Sequence, residues 1–157
     1  MAKNLEGKNC PKFKADATSE QIVSNGSYKN KNVVIYFYPK DSTPGCTTEG
    51  QEFRDNYKKF QRLNTEILGI SRESIKSHEN FKSKQNFPFE LLSDPDENVC
   101  KAFDVMKLKS MYGREYMGVD RSTFLISTQG KIIKEWRGVK VKGHVQEVLD
   151  TAKDLIG

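Results

Sequence analysis

Cysteine, histidine and proline are scarce in this chain: of 157 residues, 3 are Cys, 2 are His and 5 are Pro. Cys10, Cys46 and Cys100 form an odd set at wide spacing, which argues against a secreted disulfide scaffold. With only His78 and His144 as further soft ligands, and no C-x-x-C or H-x-x-x-H pair, no structural zinc site is expected. Few prolines together with 10% aromatic residues argue against disorder, because rings bury enough apolar area to offset chain entropy. Long apolar runs are missing too. None approaches the roughly 18 residues of a membrane span. The opening Met1-Ala-Lys-Asn-Leu-Glu6 lacks the apolar stretch of a secretory signal. The expectation is a cytoplasmic protein with no membrane partner.

A basic block is also absent. Lys and Arg outnumber Asp and Glu by 26 to 21, a formal charge of +5, yet the two signs are interleaved almost everywhere. The longest basic clusters are Lys58-Lys59 and Lys140-Val-Lys142. A groove that tracks nucleic acid needs a positive stripe with aromatics between, so no nucleic-acid partner is expected. The length suits one core. No repeat, linker or low-complexity tract interrupts it, so residues 1–157 read as a single domain.

What is present alternates strand and helix. Val33-Val-Ile-Tyr-Phe-Tyr38 is a continuous apolar, β-branched run, the pattern of a strand buried on both faces. Phe53, Tyr57 and Phe60 follow at i, i+4, i+7 on one helical face. Ile67–Ile70 reads as the next strand, and Ile75, His78, Phe81 and Gln85 as a helix. Phe87–Leu92 reads as a strand or extended segment, and Ser93-Asp-Pro-Asp96 as a helix start with acidic residues where the macrodipole favours them. Ser122–Ile126 and Lys131–Trp136 form a hairpin about Ser127-Thr-Gln-Gly130. Val145, Val148, Leu149, Ala152 and Ile156 make the apolar stripe of a terminal helix. This order predicts an α/β fold: a mixed central sheet covered by helices on both faces.

The stretch that carries chemistry is Tyr38-Pro-Lys-Asp-Ser-Thr-Pro-Gly-Cys46-Thr-Thr-Glu49. It places Cys46 just beyond the C-terminal end of a buried strand, where ligands bind in open α/β sheets. The sulfur also lies at a helix start, whose free N–H groups and dipole stabilise a thiolate. Polar neighbours suit an accessible, reactive sulfur; the plain alternative is a small residue closing a turn. His78 reads as core packing or a cap, His144 as solvated, and Trp136 and Tyr116 as core or rim aromatics.

These residues resemble the peroxiredoxins, and within them the Q-type, or bacterioferritin comigratory protein, group. The likeness rests on Pro39-x-x-x-Thr43-x-x-Cys46 within Phe37–Glu49. It continues through Phe53-Arg-Asp55, Gly69-Ile-Ser71, His78-x-x-Phe81, Leu91-Leu-Ser-Asp94 and Arg121-Ser-Thr-Phe-Leu-Ile126. It implies a thioredoxin-like fold and reduction of hydroperoxides, with no cofactor or metal. By position, Cys46 matches the peroxidatic cysteine, Thr43 the active-site threonine, Pro39 the shielding proline and Arg121 the active-site arginine. The Thr43 hydroxyl, the Cys46 N–H and the Arg121 guanidinium are the expected donors to charge developing on the departing oxygen. Glu49, taken as a first-turn residue, reads as dipole and cap chemistry with a secondary part in ordering Arg121.

The chain departs from the group's pattern at resolution. Many members carry a second cysteine five residues after the first, where this chain has Gln51; others place it near Lys82. Cys10 and Cys100 read as packing. The expectation is therefore a one-cysteine cycle in a monomer, completed by an external thiol from a thioredoxin, glutaredoxin or glutathione system. The alternatives are an atypical two-cysteine enzyme with Cys100 resolving, or a Cys46-based redox sensor or chaperone.

Overall fold

The computed structural model describes residues 4–157, so Met1, Ala2 and Lys3 of the opening segment lie outside the described residues. Two short strands begin the fold, β1 (Lys14–Ala17) and β2 (Gln21–Ser24). Then come β3 (Asn32–Phe37), α1 (Pro44–Asp55), α2 (Tyr57–Arg62), β4 (Thr65–Ser71), α3 (Ile75–Gln85) and β5 (Glu90–Ser93). The second half holds α4 (Asn98–Ala102), β6 (Met106–Met111), β7 (Arg114–Val119), β8 (Ser122–Ile126), β9 (Ile132–Trp136) and α5 (His144–Ile156).

Seven strands form one sheet in the order β2-β1-β5-β4-β3-β8-β9. The β3–β4 and β4–β5 pairs are parallel and the others antiparallel, so the sheet is mixed as expected. Alternation along β3 splits the core in two. Val34, Tyr36 and the following Tyr38 face a layer with Cys46, Phe53, Phe60, Phe81 and the α5 stripe. Ile35 and Phe37 face the other, with Val99, Cys100, Phe103 and Phe124. Helices cover both faces unequally: α1, α2, α3 and α5 on the first, the five-residue α4 on the second. Among the described residues no helix is long and apolar enough to cross a membrane.

Several readings need correction. The helix with Phe53, Tyr57 and Phe60 is broken at Asn56, which leaves helical geometry (φ −106°, ψ 5°) while its Nδ2 donates to Glu52 O at 2.8 Å. Phe87–Phe89 are not strand; β5 begins at Glu90. Ser93-Asp-Pro-Asp96 does not start a helix. Asp94 instead reaches forward, its carboxylate accepting the N–H groups of Val99 (3.0 Å) and Cys100 (2.8 Å) in α4. His144 is not solvated: it is buried at the head of α5, with Nε2 2.7 Å from Thr123 Oγ1. Two ribbons escaped the reading, β1–β2 and β6–β7. Their residues alternate charge with small or isolated apolar side chains, so neither shows the pattern of a core strand. The turn at Gly130 is as read: φ is +78°, and Ser127 N donates to Lys131 O at 2.8 Å.

Candidate active site

Strand pairing builds the site. β3 and β8 run antiparallel with Phe37 opposite Ser122. One step further along that ladder sets Tyr38 beside Arg121, so Arg121 leaves the sheet next to the loop that leads into α1. Thr43 is the N-cap residue of α1 in extended geometry, and Pro44 takes the first helical position, where a missing N–H costs nothing. The first intrahelical bond runs from Thr47 N to Thr43 O at 2.9 Å. Thr43 makes no side-chain cap bond, so the amides of Gly45 and Cys46 stay free of it at the positive end of a twelve-residue helix.

Into that end the structure brings two charged side chains. Arg121 Nη2 donates to Cys46 Sγ at 3.3 Å, and Nη1 donates to Glu49 Oε1 at 2.6 Å. Cys46 and Glu49 lie three residues apart on one face of α1, so a single guanidinium spans both. Arg121 keeps 15% of its side-chain surface exposed and Glu49 none. Burial pushes the Glu49 carboxyl up to about 7, against the opposing pull of Arg121. Loss of water disfavours the Arg121 cation, yet Glu49 and Cys46 together carry its pKa above the usual value. Glu49 Oε2 and the hydroxyl of nearby Tyr36 are buried with no hydrogen-bond partner.

The sequence reading of these residues needs two adjustments. Because α1 begins at Pro44, Glu49 falls in its second turn and caps nothing; its part is the ion pair with Arg121. Cys46 is not an open sulfur, being only 2% exposed and packed with Tyr36, Tyr38 and Phe53. Of its polar neighbours Ser42 and Thr48 are exposed, Thr43 and Thr47 half-buried and Glu49 buried. The Thr43 hydroxyl donates its proton to Lys40 O at 2.8 Å. Pro39, half-buried, lies two residues past the end of β3.

The other thiols lie elsewhere. Cys100 is fully buried and belongs to the core layer on the opposite face of the sheet from Cys46. Burial and the Asp94 carboxylate push its thiol far up. Cys10 packs against the same far layer, and burial raises it to about 11. Gln51 Nε2 donates to Gln85 Oε1 at 2.9 Å, tying α1 to α3.

One constellation was underrated at the sequence level and one was missed. The first is the Arg121–Glu49 bridge, read there only as a secondary part of Glu49. The other is a buried cluster of Asp41, Tyr38, Ser77 and His78 behind the loop. Nothing in the sequence marks Asp41 as buried.

Residues 7–135 match the AhpC/TSA family. The Bacillus subtilis protein named Peroxiredoxin Bcp is 50% identical over 149 residues, covering 95% of each chain. The structure of Xanthomonas campestris Peroxiredoxin Q superposes with a TM-score of 0.88 at 46% identity, covering 92% of each chain. A trapped intermediate/ligand complex, solved for the alkyl peroxide reduction activity of the Xanthomonas campestris bacterioferritin comigratory protein, is equally similar: TM-score 0.88, 46% identity, 92% of each chain covered. The thioredoxin-like fold is thus common to all of them. By sequence, by fold and by the cysteine at the head of α1, the chain belongs to the AhpC/TSA family, in the peroxiredoxin Q group of thiol peroxidases.

Proposed function

We propose that Cys46 reduces hydrogen peroxide and organic hydroperoxides in a one-cysteine cycle completed by an external thiol. The observation that carries this reading is the Arg121 guanidinium 3.3 Å from a sulfur at the N-terminus of α1. Cation and helix dipole both favour thiolate over thiol. The thiolate attacks the terminal peroxide oxygen. An S–O bond forms as the O–O bond breaks, giving a sulfenic acid and an alkoxide or hydroxide that is protonated to alcohol or water. Sulfur loses two electrons and the peroxide gains them.

Arg121 and the Cys46 amide are the donors placed to stabilise charge on the departing oxygen. Thr43 acts from the other side. Its proton is engaged by Lys40 O, so its oxygen offers a lone pair to the incoming peroxide O–H and orients it. Pro39 has no N–H and helps exclude water. Activity toward alkyl peroxides is supported by the Xanthomonas campestris relative.

The one-cysteine cycle is supported by the placement of Cys10 and Cys100 across the sheet from Cys46. A disulfide needs Cα atoms within about 7 Å, and here the sheet itself lies between the two core layers. The sulfenic acid then condenses with an outside thiol, releasing water, and a second thiol frees Cys46. Thioredoxin, glutaredoxin and glutathione systems are the reductants to test. We read residues 1–157 as one domain acting as a cytoplasmic monomer.

The test is peroxide consumption with each reductant in turn. Cys46→Ser should abolish it, and dimedone should trap Cys46 in the wild-type protein after one equivalent of peroxide. Comparable turnover by the serine variant would sink the assignment.

A further inference from the structure

The loop that carries Pro39 and Thr43 is held from inside by one side chain. Asp41 lies between them, yet its side chain is only 3% exposed. Three donors converge on its carboxylate: Tyr38 Oη at 2.6 Å on Oδ1, and Ser77 Oγ and His78 Nδ1, each at 2.7 Å, on Oδ2. His78, fully buried in α3, sets its Nε2 2.8 Å from Leu92 O in β5. A carbonyl only accepts, so Nε2 carries a hydrogen. A carboxylate only accepts, so a proton also lies between Nδ1 and Oδ2. The Asp41–His78 contact is therefore a buried hydrogen bond that holds one shared proton. Burial alone would raise the Asp41 carboxyl, but His78 and the two hydroxyls outweigh it and hold the group below its usual range.

This anchor sits next to strained backbone. Ser42 has φ +61°, in the left-handed region where a side chain carries a steric penalty. The Thr43 hydroxyl closes the turn on Lys40 O, and α1 begins at the next residue. A strained turn persists only where its surroundings over-determine it. Here the surroundings are Asp41 and the donors from Tyr38 and α3, while β5 fixes the orientation of His78.

We propose that Asp41 and His78 form a positioning pair for the peroxide site. The pair sets the 39–43 turn, and with it Pro39, Thr43 and the head of α1, against Cys46 and keeps the sulfur shielded. This inference rests on the reading of Cys46 as the peroxide-reactive thiol. Neither residue touches the sulfur in this structure; both act through the loop.

The experiment compares wild type with Asp41→Asn, His78→Gln and the double variant, all as reduced full-length protein. Circular dichroism and thermal midpoints report folding. The second-order rate of Cys46 oxidation by hydrogen peroxide and the rate of its alkylation by iodoacetamide report the site. We expect peroxide attack to slow at least tenfold in folded variants, while alkylation accelerates several-fold as the shield loosens. The double variant should be no slower than the worse single one, because the two residues act as a unit. A lowered thermal midpoint with both rates within twofold of wild type would mean a merely structural role and overturn the proposal. Should Asp41→Asn and His78→Gln fail to fold, Tyr38→Phe and Ser77→Ala each remove one donor. Slowing in either supports the proposal, and wild-type rates in both refute it. If wild-type Cys46 itself ignored peroxide, the peroxidase reading would fall, while the alkylation rates would still decide whether the pair holds the turn.

Discussion

Replacing Arg121 by methionine should separate the chemistry of the site from its stability. Two unit charges 3.3 Å apart in an effective dielectric of about 20 attract by roughly 5 kcal/mol. The guanidinium is 15% exposed and shares its charge with Glu49, so well under half of that should reach the thiolate. A value of about 2 kcal/mol also falls within the range for a hydrogen bond to a charged group. In rate terms that is roughly a 30-fold loss in peroxide attack. Arg121→Met has a second effect: it strips from Glu49, whose carboxyl is fully buried, its one donor among the described residues. Breaking a buried pair from one side costs on the order of 3 kcal/mol of stability. The Arg121→Met/Glu49→Gln double variant should recover much of the thermal midpoint and none of the rate. Competition against a reference peroxidase gives the rate, and thermal unfolding gives the stability. A folded Arg121→Met protein within threefold of wild-type rate, or a double variant restored to it, would refute the electrostatic argument.

Four further outcomes follow from the same geometry. After one equivalent of peroxide, peptide mapping should find Cys46 as sulfenic acid with Cys10 and Cys100 reduced, and Cys100→Ser should keep full turnover; a stoichiometric Cys46–Cys100 disulfide would reverse this. The folded protein keeps the Glu49 proton up to about pH 7 against an ordinary value of 4.5, so stability falls as pH rises through that window. Glu49→Gln should therefore flatten that fall in thermal scans across the window. Burial lowers His144 from 6.5 to about 4, the opposite sense: its contribution is lost as pH falls through that range, and His144→Gln should flatten that loss in thermal scans. Gly50→Ala would drive a methyl into the Phe87 ring, which stacks on Phe89 with centroids 5.0 Å apart. We expect a loss of about 1–3 kcal/mol in chemical denaturation with peroxide kinetics of the folded protein preserved.

The amino-acid order by itself determined the mixed α/β architecture, the terminal helix and the place of Cys46. Those features rest on local pattern: a buried β-branched run, a Pro-Gly turn and an apolar stripe each declare themselves within a few residues. Thr43 and Pro39 lie on one short loop with the cysteine, but their roles were assigned by likeness to a family. Arg121, 75 positions beyond Cys46, could be placed only by likeness to a family, because strand register alone sets it beside Tyr38. Tertiary structure decided the rest. Glu49 became the partner of Arg121 once the start of α1 moved it into the second turn and the fold closed over it. His144 and Asp41 look like surface residues in sequence, yet both are buried, because Thr123 in one case and Tyr38, Ser77 and His78 in the other supply hydrogen bonds from remote elements. The side of the sheet on which a cysteine falls is likewise invisible in spacing. Strand alternation and helix packing put Cys100 on the opposite face of the sheet from Cys46.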